Sequence, residues 1–122
     1  MKKSINKNFF KKKEVIALRK SYLSKIREEI DELETYAKNF FEKKGKLKIN
    51  SHQYGMVHKM KGVGGTFQFP KITDIAVKIL ELFSKNAKTK DVLLNEKEYF
   101  KFLDLLYELK IAVNEYSKEI EK

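Results

Sequence analysis

Two histidines stand in the 122-residue sequence, at positions 52 and 58, and the second lies in an unusual setting. It opens the stretch His58-Lys59-Met60-Lys61-Gly62-Val63-Gly64-Gly65-Thr66-Phe67. Residues 51 to 67 read as an α-helix, with about 100° between successive side chains. Measured from Val57, His58 falls at about 100°, Lys61 at about 40°, Tyr54 at about 60° and Gly65 at about 80°. Ser51, Gly62 and Gly55 follow at about 120°, 140° and 160°. Met56, Met60, Val63 and Phe67 gather between about 240° and 300°, on the far side. The imidazole is therefore expected to face away from the core. A glycine inside a helix costs about 1 kcal/mol relative to alanine. Three on the histidine's own face make sense when another molecule must come close.

Phosphoryl transfer to an imidazole needs such a face. The neutral ring offers a nucleophilic nitrogen near neutrality, because an unperturbed histidine titrates near pH 6.5, roughly. Lys61, at i+3, stands close enough to touch a phosphate carried by His58. Its ammonium would offset the added negative charge and disfavour the imidazolium form. The flat surface of Gly55, Gly62 and Gly65, with Tyr54 beside it, would let a partner lower its own active site onto the ring.

His58-x-x-Lys61-Gly62, followed by Gly65-Thr66-Phe67, Phe69-Pro70 and an amphipathic helix, resembles the histidine phosphotransfer (HPt) domain family. Upstream, Leu18-Arg19-x-x-Tyr22-Leu23 opens a long helix in the family manner, so the likeness spans roughly residues 14 to 120. The resemblance implies a phosphorelay intermediate, with His58 as phosphoacceptor and Lys61 neutralising the phosphate. Tyr54, Gly55, Gly62 and Gly65 would form the contact surface. It implies response-regulator receiver domains and a sensor histidine kinase as partners. No cofactor is expected on the chain itself, because magnesium and the catalytic acids belong to the receiver. The sequence departs from the family at Gln68, where glycine is usual. It also carries Leu80 where chemotaxis kinases have an acidic residue contacting the histidine; Glu81 is adjacent but turned by about 100°. The likeness is thus to the general phosphorelay class.

Other chemistry finds less support. His52 lies about 240° around the helix from His58, so the two cannot share a metal on one face. With no cysteine in the chain and no suitably spaced carboxylate, a zinc site is not expected. Gly62-Val63-Gly64-Gly65 follows no predicted strand and is not a nucleotide loop, so no kinase activity or ATP binding is expected. Glu28, Glu29, Asp31, Glu32 and Glu34 read as a solvated helix face.

These residues need a helical frame, and the sequence supplies one. Residues 14 to about 43 carry Leu18, Tyr22, Ile26, Ile30, Leu33, Ala37 and Phe40 on one stripe, and Gly45 ends that run. Asn50 or Ser51 caps the histidine helix, which runs to about Phe67. Pro70 suits the first turn of a third helix, with Ile72, Ile75, Ala76, Ile79 and Phe83 inward. Residues 84 to 95 read as a polar loop with a short Val92-Leu93-Leu94 insert. Asn95 with Glu98 forms a capping box for a last helix bearing Phe102, Leu103, Leu106, Leu109, Val113 and Tyr116. No alternating strand pattern is legible. The expected fold is an all-α, antiparallel four-helix bundle over residues 14–122, with a basic N-terminal arm over residues 1–13.

Composition fits a single domain, with 42% hydrophobic residues. The net charge is +10: six lysines and no acid occupy the first thirteen residues, leaving 21 basic against 17 acidic side chains elsewhere. An arm of that kind steers a protein to acidic partners, which receiver pockets are. The alternative is a small basic helical adaptor binding nucleic acid through its arm, but no arginine or aromatic pattern supports base readout. Phe9 and Phe10 give the arm a short apolar lead-in. No apolar run approaches the ~18 residues of a membrane span, and no signal peptide is legible. A cytoplasmic monomer is expected.

Overall fold

Among the described residues, apolar side chains recurring at three and four residues build four helices: α1 (Lys13–Lys44), α2 (Ser51–Thr66), α3 (Pro70–Lys85) and α4 (Glu96–Glu121). The computed structural model describes residues 13–88 and 91–121. The basic arm expected over residues 1–13 thus lies outside the described residues, except Lys13, the first residue of α1. The fold is an all-α bundle with one core, in which Phe69, Phe83, Phe102, Ile30, Ile79 and Leu106 are fully buried. No described helix is long and apolar enough to cross a membrane.

Contacts between neighbouring helices run in opposite chain order. Along α1 and α4, Phe41 stacks on Tyr99 at 4.0 Å, Glu34 accepts from Lys110 at 2.7 Å, and Arg27 donates to Asn114 at 3.1 Å. Between α3 and α4, Phe83 lies 5.5 Å from Phe102, while the Lys71 amide donates to the Tyr116 hydroxyl at 3.0 Å.

The helix ends obey local chemistry. Gly45 ends α1 at φ +69°, in the left-handed region glycine enters without penalty, and its amide donates to the Phe41 carbonyl at 2.7 Å. Asn50 is the cap of α2, and its own amide donates to the Gln53 side-chain oxygen, completing a capping box. Asn95 and Glu98 make the expected reciprocal pair, each at 2.9 Å. Pro70 occupies the first turn of α3.

Two expectations are corrected. The segments flanking α2 and α3 are not plain loops: β1 (Leu47–Ile49), β2 (Ala87–Lys88) and β3 (Asp91–Leu94) form an antiparallel sheet in the order β1-β3-β2. Leu47 pairs with Leu94 and Ile49 with Val92, and these four side chains are buried against the bundle. Strands of two to four residues are too short to show period two, and β1 meets its partner β3 more than forty positions away. Leu18 was expected inside but is 50% exposed. At that level of α1, Val15 and Arg19 take the inward positions, leaving Leu18 about 90° off the buried stripe.

Candidate functional site

The face of α2 that carries His58 is open. His58, Lys61, Gly55, Gly62 and Gly65 are all exposed, and a Cβ built on any of the three glycines would meet nothing within 4 Å. No packing demand therefore accounts for glycine at these positions. The buried side of α2 comprises Gln53, Met56, Val57, Met60 and Gly64, with Val63 and Phe67 half-buried. That core face is broader than the methionine stripe suggested and includes Val57, yet it stays on the far side from His58.

The fourth helical glycine has a different task. A Cβ on Gly64 would strike the Thr73 hydroxyl and come within 2.9 Å of the Thr73 backbone nitrogen. Thr73 also donates its hydroxyl to the Lys61 carbonyl at 3.1 Å. The backbone that carries Lys61 is thereby fixed to α3, while its side chain remains in solvent.

His58 lines a groove of about 390 Å³ with Tyr22, Lys59, Lys61, Gly62, Val63, Thr66 and Phe67. Its apolar wall is the Tyr22–Phe67 pair, whose rings lie 4.4 Å apart. Both lysines stand at the rim, so the groove joins an apolar wall to positive charge around the imidazole. Tyr54 divides its roles: 39% of it is exposed on the histidine face, and its ring packs 6.1 Å from Phe83.

Arg19 secures the end of this helix, a role the sequence did not reveal. Its Nε donates to the Phe67 carbonyl at 3.0 Å, and its guanidinium lies 4.7 Å over the Phe69 ring. A cation at a helix C-terminus satisfies carbonyls that have no partner in the helix and complements the helix dipole. Burial draws the Arg19 pKa down, opposed by Glu119 and Tyr116. Gln68, the departure from the family pattern, follows directly and holds φ +59°, the conformation glycine adopts most readily.

The remaining candidates separate from His58. His52 is exposed and pairs with Glu32 of α1 at 2.9 Å, holding the start of α2 to α1. Leu80 packs against the core, and Glu81 opens into a different cleft with Asn86 and Lys97, away from the histidine groove. Glu29, read as solvated, is half-buried. Burial pushes its carboxyl above the ordinary glutamate range, with Lys59 and Lys25 pulling it back. No group of three or more histidine, cysteine or acidic side chains suited to a metal occurs among the described residues. In comparisons with known proteins, the chain matches no family model, no curated protein and no solved structure.

Proposed function

We propose that this protein is a phosphorelay carrier that receives a phosphoryl group on His58 from a receiver-domain aspartate and passes it to another receiver. The observation that carries this reading is an exposed imidazole on a helix face whose three glycines meet no neighbour. In the transfer, a neutral ring nitrogen bonds to phosphorus as the phosphorus–oxygen bond to the aspartate breaks. The carboxylate leaves with the electron pair, and the other ring nitrogen keeps its proton. Lys61 answers the arriving charge. Gly55, Gly62 and Gly65, with the exposed edge of Tyr54, admit the partner. Magnesium and the acids that hold it belong to the receiver, and the carrier does not phosphorylate itself from ATP. The reading carries a cytoplasmic location with it, where receivers and the kinase domains that charge them meet.

The test is transfer from a phosphorylated receiver domain to purified wild type, His58→Gln and His52→Gln. Acid-labile label is expected on wild type and His52→Gln only. Label that survives loss of His58 but not of His52, or that forms from ATP and magnesium alone in a His58-dependent manner, overturns the reading.

A further inference from the structure

α4 has two apolar sides. Phe102, Leu105, Leu106, Leu109 and Val113 face the bundle and are buried. On the outer side Phe100, Tyr107 and Ile111 fall within an arc of about 40°, and Leu103, which also packs against the core, borders them. Phe100 is 51% exposed, Tyr107 64% and Ile111 42%, while Leu103 is half-buried. The other exposed large hydrophobics among the described residues, Leu18, Tyr54 and Leu93, lie singly on other elements. A solvated helix face has no use for such a row, since phenylalanine, tyrosine and isoleucine are not the strongest helix formers. Large apolar side chains gathered on a surface mark a contact.

The charges beside the row identify what covers it. On the flank toward α3, Lys97 and Lys101 lie before the middle of the row and Glu108 and Glu115 beyond it, with the exposed Asp104 near the middle. Two-fold symmetry about an axis at the middle of the row would lay a second α4 across the first in the opposite direction. That arrangement sets the same flank of each copy against the other. Phe100 then meets Ile111 of the second copy, and Leu103 meets Tyr107. Lys101 faces Glu108, and Lys97 faces Glu115, which also holds Lys71 at 3.0 Å. A parallel pairing would carry this flank of the two copies to opposite sides of the contact, where these charges could not meet. Among the described residues, Lys97, Lys101 and Glu108 make no ion pair within the bundle, so all three are available.

We propose that the outer face of α4 is a self-association surface, on which two copies of this chain pair in opposite directions through Phe100, Leu103, Tyr107 and Ile111. This proposal departs from the monomer expected from the sequence. No residue of this row lines the His58 groove, so both histidine faces stay open, and the inference stands apart from the phosphorelay reading.

Sedimentation equilibrium of the full chain from micromolar to millimolar concentration tests it. The mass should rise from 14.4 kDa toward twice that value. Tyr107→Glu should hold it at the monomer with helical circular dichroism and melting temperature unchanged. Lys101→Glu and Glu108→Lys should each weaken pairing about tenfold, because symmetry counts each pair twice. The double exchange should restore it. A wild-type monomer throughout, a dimer indifferent to Tyr107→Glu, or a double exchange as weak as the single changes overturns the proposal.

Discussion

Gly64 of α2 lies so close to Thr73 of α3 that a side chain at position 64 would collide with both the hydroxyl and the backbone nitrogen of Thr73. One residue later, Gly65 faces open space. Adjacent glycines thus serve opposite ends: one lets two helices meet, and the other leaves a surface bare.

The contrast predicts opposite signs for one substitution. Gly65→Ala and Gly62→Ala should raise stability by up to about 1 kcal/mol, the propensity difference in an exposed helix. Gly64→Ala should lower it, because overpacking typically costs about 1–3 kcal/mol and the backbone of α3 cannot step aside cheaply. Chemical denaturation of the three variants measures this. A Gly64→Ala protein as stable as Gly65→Ala would remove the close-packing argument.

Gln68→Gly should stabilise the fold. The left-handed conformation costs a side-chain-bearing residue roughly 1–2 kcal/mol, part of which glycine returns in the greater freedom of its unfolded chain. A gain of about 0.5–1 kcal/mol is expected. Arg19 reaches the carbonyls of Phe67 and Gln68, which the substitution leaves in place. Unchanged or lower stability would mean that the glutamine side chain holds the turn.

Docking and chemistry should separate at Gly62 and Lys61. Gly62→Leu should keep or raise the melting temperature and slow phosphoryl transfer by covering the approach to His58. Lys61→Ala should slow transfer while leaving the nucleophile in place. Lys61→Glu should be slower still, since it sets like charge beside the phosphate. Stopped-flow rates with one receiver domain rank the variants. A glutamate variant as fast as wild type excludes a phosphate role for Lys61.

Two carboxylates on α1 should give opposite pH trends. Lys110, by hydrogen bond and charge, holds Glu34 below the ordinary glutamate value despite some burial. Its contribution is present above that ordinary value and is lost as pH falls through the lowered one. Glu34→Gln should therefore flatten the acid loss of stability. Glu29 is raised, first by burial. Its neutral form suits the fold, so that contribution is present in acid and is lost as pH climbs from the ordinary value through the raised one. Glu29→Gln should gain stability relative to wild type at neutral pH and not in acid. Denaturation midpoints against pH would show whether the two trends oppose each other.

Arg19→Met should destabilise the protein by about 1.5–3 kcal/mol, as loss of a charged hydrogen bond to a helix-end carbonyl. Amide exchange should rise most in the last turn of α2. Exchange that rises evenly across α2, or stability that does not change, would show that the guanidinium acts only by packing on Phe69.

Periodicity alone determined the four helices, and spacing around α2 determined that His58, Lys61 and three glycines share one side. Both are local facts: a helix repeats every 3.6 residues whatever surrounds it, and caps such as Asn50 and Asn95 act within one turn. Only the tertiary structure decided what depends on distant partners. Leu47 and Ile49 become a strand because Leu94 and Val92 come to meet them. Leu18 turns outward because Arg19 takes the inward place over Phe69. Gly64 is a packing glycine because Thr73 arrives from the next helix, a relation no spacing within α2 can express. The row on α4 was hidden for a similar reason: a helix with apolar residues on two sides shows which side is the core only once its neighbours are in place.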